Sequence, residues 1–267
     1  MSATVFLITL ICSAAAMSLG MSLAWLIWRN TKNAGWVDVV WTGTLGLTGA
    51  MGAFLMPGPA WRHAIIALLL LIWVSRLGSH IAGRNQRRNN DPRYAKLLDG
   101  WGDDASWQMF LLMQKQALVS IPLAMALLLA AAVPETAIRF QDGLGFLVVV
   151  TAIAGEAFSD RQLRRFMATH ALKDVCDVGL WGWSRHPNYF FQWLSWCGYA
   201  LIALDFGGTH PWGWLALLAP LCMYWLLMFI SGIPPLEEHM FATRGARYRA
   251  YQQSTSAFFP WPPKAKT

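Results

Sequence analysis

The chain has 267 residues, 56% of them hydrophobic and 13% charged, with 16 Trp and a formal net charge of +7. A soluble domain carries about twice that charged fraction, so a water-soluble globular class is excluded and an integral membrane class is read instead. The positive charge invites nucleic acid as a partner, but its distribution along the chain excludes that reading.

Seven segments have the roughly 20 apolar residues that a helix needs to cross hydrocarbon: 4–28, 37–56, 64–83, 108–133, 142–159, 188–205 and 212–231. The first lacks a basic leader and is long, so it reads as a retained span and not a cleaved signal. Threading the seven spans puts Arg62 and Arg139 on the side of the N-terminus. On the other side lie 17 of the 21 Lys and Arg residues, and Arg76 and Lys115 fall within spans. The positive-inside rule then sets the N-terminus outside and the C-terminus in the cytoplasm. The expected fold is all-α, a single polytopic domain over 1–267 with about seven transmembrane helices.

Short cytoplasmic helices are expected near 91–100 and 235–252. Asp91 can cap a helix that begins at Pro92 and ends at Gly100. Pro234 and Pro235 open another, Gly245 breaks it, and a second amphipathic piece with Tyr248 and Tyr251 follows. The closing AFFPWPPK is not helical. Cys12, Cys176, Cys197 and Cys222 have no metal-ligand spacing, so no metal site is expected.

Polar residues recur inside the apolar segments. Asp38 falls in the first two turns of the second span, as a helix-end group or as an acid at a pocket floor. Trp36 and Trp41 suit a membrane interface. On the third span Arg76, His80 and Arg84 share a face at i, i+4, i+8. A charge at the depth of Arg76 costs ~2.5–3.5 kcal/mol on insertion scales, so it needs a partner in the bundle or an anionic ligand. Glu156, Asp160 and Arg164 repeat the spacing at the end of the fifth span, and Glu156 is a candidate partner for Arg76. In WGWSRHPNYFFQ, Pro187 suits the first helical position and His186 the N-cap. The free N–H groups of that helix start attract anions, Arg185 and His186 flank it, and Asn188 and Gln192 share one face beyond it. These residues describe a cytosol-open polar cleft beside an apolar, Trp-rich chamber, which suits an enzyme acting on a lipid with a soluble, phosphate-bearing cofactor.

Five strings in order, VDVVW, RLGSHIAGRN with NDPRY, SDRQLRRF, LWGWSRHPNYF and EEHMFATRGARYRAY, resemble the bacterial branch of the steroid 5-alpha-reductase-like membrane proteins, from about residue 33 to 263. The wider superfamily includes sterol reductases. The resemblance implies a bacterial inner-membrane enzyme that binds NADPH from the cytosolic side and reduces an activated C=C bond in an apolar enone-like lipid. It assigns the cofactor to Asp160, Arg164, Arg84, Asn85, Asn188, Glu237, Glu238, Tyr248 and Tyr251, alongside Arg76, His80, Arg185, His186 and Tyr189. Arg84, Arg87, Arg88 and Arg164 suit the extra phosphate that distinguishes NADPH from NADH. The substrate side falls to Asp38, Trp41, Trp73 and Gln192. Here the chain departs from the steroid reductases, which have Gly-Glu where Phe191 and Gln192 stand, a Gln-Glu pair where Asp38 stands and a Tyr at Trp73. Hydride transfer leaves negative charge on the substrate carbonyl, which needs a donor: Asp38 in its protonated form, or Gln192. RHPxY with a Glu-Glu…Gly…Tyr tail also resembles the isoprenylcysteine methyltransferases, which use S-adenosylmethionine. A lipid-binding or transport protein on the same scaffold is the third alternative.

Overall fold

The computed structural model describes residues 2–86, 92–171 and 173–264. Arg87, Arg88 and Asp91, read above as phosphate ligands and a helix cap, lie outside the described residues. Every regular element described is helical, and extended backbone pairs only at one isolated bridge, Ser184 with Ser256. In chain order the helices are α1 (Ala3–Thr31), α2 (Trp36–Ala53), α3 (Ala60–Asn85), α4 (Pro92–Trp101), α5 (Ala105–Val119), α6 (Ile121–Ala131), α7 (Phe140–Thr169), α8 (Leu180–Trp183), α9 (Pro187–Ala203), α10 (Leu218–Trp225), α11 (Ile233–Arg244) and α12 (Ala246–Ser254). A π-helical turn, Leu226–Ile230, follows α10.

Five stretches are long and apolar enough to cross a bilayer: Ala3–Thr31, Ala60–Asn85, Leu97–Ala131, Phe140–Thr169 and Pro211–Arg244. The chain is therefore read as an integral membrane protein. The other two expected spans are helices α2 and α9, of 18 and 17 residues, and they fall outside this set. Glycine and threonine thin the hydropathy of α2, and Asn188, Tyr189 and Gln192 do the same for the start of α9. On α1 the buried face is Phe6, Thr9, Ser13, Met17, Met21, Ala24 and Trp28, one residue every three or four, as a packed helix requires. Leu7, Ile8, Ile11 and Leu19 on its outer face are more than half exposed, the position of side chains that meet lipid tails.

Where the sequence reads as one domain, the chain gathers into two compact units, Met1–Phe146 with Tyr199–Ala219, and Leu147–Gly198 with Pro220–Thr267. The first unit is built around α6, which is buried on nearly every side from Leu123 to Ala131. A helix apolar all round belongs in a core. Helices α2 and α3 approach closely because Gly46 has no side chain: a Cβ there would collide with Val74. Small residues at such seams are the usual route to close packing in membranes. Polar side chains hold α1 to α5: Ser18 donates to Gln114 Oε1 at 2.7 Å, Gln114 donates to Ser22 Oγ at 3.1 Å, and Trp25 Nε1 donates to the Ser106 carbonyl at 2.9 Å.

Arg62 and Arg139, read from the sequence as loop charges, are structural. Arg62 is 0% exposed and forms a salt bridge with the equally buried Asp142 at 2.8 Å. Its Nη1 donates to the carbonyls of Val133 and Glu135. Arg139 joins the same carboxylate at 2.8 Å and donates to the carbonyls of Ile202 and Leu204 at the end of α9. The ring Nε2 atoms of His63 and His210 lie 3.2 and 3.1 Å from the carbonyls of Ala131 and Leu129, at the end of α6. The last carbonyls of a helix have no partner within it, and here buried side chains satisfy them. Asp142→Asn leaves two guanidinium groups without their carboxylate in this buried place. Breaking a buried pair costs ~3–5 kcal/mol, so the variant is expected to lose most of its folded yield in detergent, with a sharply lower thermal midpoint. A variant as stable as the parent would show that the cluster is not a clamp.

Candidate functional site

The second unit holds a dense polar constellation. Its elements are the C-terminal half of α7, the corner between α8 and α9, and the tail helices α11 and α12. The corner follows from local sequence. Gly179 sits at φ 58°, which starts the single turn α8, and Ser184 is extended at φ −140°, ψ 144°. The chain bends at Arg185, and Pro187 begins α9. The tail turns at Gly245, φ 55°, between α11 and α12, and its non-helical end lies beside the corner. Arg185 N donates to the Ser256 carbonyl at 2.8 Å, Ser184 Oγ to the Phe258 carbonyl at 2.8 Å, and Trp261 N to the Trp183 carbonyl at 2.9 Å.

Glu237 is the hub. Its Oε1 accepts from Arg185 Nε at 2.7 Å and lies 3.0 Å from His186 Nε2, while its Oε2 accepts from Gln252 Nε2 at 2.8 Å and from Arg185 Nη2 at 3.3 Å. The paired contacts with Arg185 have the fork geometry that makes Arg–carboxylate pairs strong. The remaining Nη1 of Arg185 donates to the carbonyls of Gln252 and Thr255. Tyr251 donates its hydroxyl to the Trp181 carbonyl and, at 3.4 Å, to that of Ser184. Burial pushes the phenols of Tyr248 and Tyr251 well above their ordinary range, so both remain donors at any working pH. Beside this hub Asn188 Nδ2 donates to Asp160 Oδ1 at 3.2 Å, and its Oδ1 accepts from Tyr189 N at 3.0 Å. The Tyr189 ring stacks on His186, with centroids 5.6 Å apart.

The structure thus brings Asp160, Arg185, His186, Asn188, Tyr189, Glu237, Tyr248 and Tyr251 into one region. It also revises several roles read from the sequence. The Arg185 guanidinium and the His186 Nε2 are engaged by Glu237 and the tail, so the pair positions the start of α9. One amide hydrogen of Asn188 is already given to Asp160, which leaves the second for a ligand. Asp160 and Glu156 are buried, while Arg164 and Glu238 are exposed. Gln192 is buried and follows Phe191, whose ring occupies the space over Gly155 that a Cβ would fill. Gln252, Ser184 and Thr255 were missed by the sequence reading; nothing in their local pattern marks them, because their partners lie 15 to 74 residues away.

The remaining calls lie in the first unit. The buried face of α3 is Trp73, Leu77, Ile81 and Asn85, so Asn85 belongs to the inward row. Arg76 and His80 are only half-buried, and Arg84 is exposed. Asn85 abuts Gly35, where a Cβ would collide with its amide, and its Nδ2 is buried without a hydrogen-bond acceptor among the described residues. Such donors are rare in folded proteins and call for an explanation. Trp41 Nε1 donates to Ser120 Oγ at 2.8 Å, and its ring meets Trp73 edge-to-face at 6.2 Å. Trp41 therefore serves the bundle and not only an interface. Asp38 lies half-buried one turn before Trp41, in the first turn of α2.

Among known proteins, a family model described as a protein of unknown function, DUF1295, matches residues 24–255. The match covers most of the chain, and the chain belongs to this family. No curated protein and no solved structure matches it.

His186 gives the constellation a pH signature. Burial holds its pKa below the ordinary 6.5, against the pull of Glu237 and together with the repulsion of Arg185. As pH falls below about 6.5 the unfolded chain takes up this proton first, so His186 withdraws stability on the acid side and is neutral to stability above it. Thermal midpoints measured between pH 8 and 5 are expected to fall more steeply for the parent than for His186→Gln. Equal slopes would mean that His186 ionises in the fold as freely as in the open chain.

Proposed function

We propose that this DUF1295 chain is a membrane reductase that uses NADPH to reduce an activated C=C bond in an apolar, enone-like lipid. The observation that carries the reading is the gathering of three separate segments, those of Asp160, of Arg185 to Tyr189 and of Glu237 to Gln252, around one carboxylate hub. Each of the three resembles a cofactor segment of the steroid 5-alpha-reductases. With the chain threaded as seven spans, the one-sided distribution of Lys and Arg supports a C-terminus in the cytoplasm; cofactor approach from that side and a bacterial inner membrane follow from the resemblance.

Each compact unit, taken by itself, carries polar groups that suit an acceptor-rich ligand. The buried Asn85 amide donor has no acceptor among the described residues. The second amide hydrogen of Asn188 is a further donor, and the exposed Arg84 and Arg164 suit phosphate groups. When bound, NADPH supplies the hydride. The protein supplies position, dryness and charge complementarity. The Glu237 hub holds the first turn of α9 in place through Arg185 and His186, and the Asn188–Asp160 contact fixes that turn against α7. Reduction of an enone builds negative charge on its carbonyl oxygen, and a donor preset at that oxygen is typically the largest catalytic contribution. Asp38, in its protonated form, is the first candidate for that donor, and the Gln192 amide is the second.

Isothermal titration of the detergent-purified protein with NADPH, NADH and S-adenosylmethionine separates the readings. NADPH is expected to bind at least about tenfold more tightly than NADH, the worth of one charge-assisted hydrogen bond of ~1.5 kcal/mol. Binding of S-adenosylmethionine with no NADPH signal would convert the reading to a lipid methyltransferase. Binding of neither, with lipid retained, would favour a carrier.

The role of Asp38 is tested by single-turnover oxidation of bound NADPH with 4-ene-3-ketosteroids or apolar quinoid lipids. Asp38→Asn keeps a donor and is expected to slow the reaction moderately. Asp38→Ala removes it and is expected to cost on the order of 100-fold, as deletion of an oxyanion donor does. Equal rates for all three would transfer the role to Gln192.

A further inference from the structure

The last turns of α7 carry a feature that the reductase reading leaves unused. Gln162, Arg165, Phe166, Ala168, His170 and Val178 line an open groove of about 540 Å3 within the second unit. Its floor is fixed. Gln162 Oε1 accepts from Leu180 N at 3.1 Å, which ties α7 to α8. The His170 ring stacks on Phe166 with centroids 3.9 Å apart and planes 10° from parallel, and its Nδ1 lies 3.0 Å from the Phe166 carbonyl. The groove is mostly apolar. Val178 is 50% exposed, and Arg165 supplies a guanidinium at the rim.

Depth in the membrane decides what such a groove meets. The 30 residues of α7 reach ~45 Å at 1.5 Å per residue, against a hydrocarbon core of ~30 Å. The excess of ~15 Å is about ten residues. The apolar run of α7 ends before Asp160, so those ten residues are the turns from Asp160 to Thr169; they cross a headgroup layer of ~5–8 Å, which places Arg165 near its outer face and the last turn beyond it. Arg161, Arg164 and Arg165 are exposed there, and Lys173 follows in the next loop. Of the carboxylates nearby, Asp174 is paired with Arg247 at 2.7 Å, Asp160 is buried beside Asn188, and Asp177 stands exposed next to Val178. The cationic groups outnumber them.

We propose that this groove is a binding site for an anionic phospholipid, with the diester phosphate at Arg165 beside Ala168 and the glycerol and upper acyl chain running back toward the hydrocarbon along Phe166 and Val178. A free phosphate ion gains nothing from the apolar walls, and a zwitterionic lipid brings an ammonium to a cationic rim. An anionic lipid matches both parts. Basic residues near an anionic headgroup are worth ~1 kcal/mol each, enough to select a lipid without holding it permanently. The proposal rests on the membrane reading of α7 and on no part of the redox chemistry.

Native mass spectrometry of the full chain, exchanged from detergent into mixed micelles with phosphatidylglycerol or phosphatidylcholine, counts the retained lipid. The parent is expected to retain phosphatidylglycerol in preference to phosphatidylcholine. Arg165→Gln should lower that retention about fivefold, the equivalent of ~1 kcal/mol. Arg161→Gln removes the same charge away from the groove and should stay within about twofold of the parent. Ala168→Glu sets a carboxylate on the apolar wall of an exposed helix position and should abolish the preference, which keeps the test decisive if Arg165→Gln folds poorly. Equal losses for Arg161→Gln and Arg165→Gln would reduce the site to diffuse surface charge. Retention of both lipids alike, displacement of the lipid by millimolar inorganic phosphate, or an unchanged preference in Ala168→Glu would overturn it. NADPH affinity is expected to be unaltered in Arg165→Gln, so failure here and failure of the reductase reading remain distinguishable.

Discussion

A helix that ends inside an apolar body leaves its last carbonyls without donors, and no solvent is present to supply them. Both units of this protein are organised by that constraint. In the first, Arg62, Arg139, His63 and His210 reach back to carbonyls at the ends of α6 and α9, and Asp142 balances the two guanidinium groups. In the second, Arg185 donates to carbonyls at the end of α12, and Tyr251 does the same for α8. Glu237 then holds Arg185 in place. Arg62, Arg139 and Arg185 are thus donors that allow helices to stop in so apolar a chain.

This explains what was legible in the sequence. Hydropathy and proline–glycine punctuation are local signals, and they were sufficient for the membrane class, for the helix starts at Pro92, Pro187 and the Pro234–Pro235 pair, and for the turn at Gly245. Asp160 and Asn188 came through the resemblance, and they do meet. Partnership across the chain has no local signal. Arg185 and His186 look like ligand groups when read beside a helix start, yet Glu237 lies about 50 residues away and engages both. Arg62 and Arg139 read as loop charges for the same reason. The i, i+4 stripe of Arg76, His80 and Arg84 was visible, but the buried row of α3 is the adjacent one that ends at Asn85, and only packing selects between two neighbouring rows.

The division of labour between residues follows from burial. The groups closest to the hub are engaged with one another, and what they do is hold the corner and the tail together. In the second unit the Asn188 amide keeps its second hydrogen, and in the first the Asn85 amide donor is buried without an acceptor among the described residues.

The order of the hub along the chain has a consequence for biosynthesis. His186 is synthesised 51 residues before Glu237, and Tyr251 and Gln252 come later still. At ~5–20 residues per second, several seconds pass in which the α8–α9 corner exists without its carboxylate. Until the tail arrives, the corner lacks the carboxylate that pairs its arginine and histidine. Quality control has a simple readout at this point: a chain whose tail is lost presents a bare arginine and histidine at the corner, and a chain whose tail has docked does not.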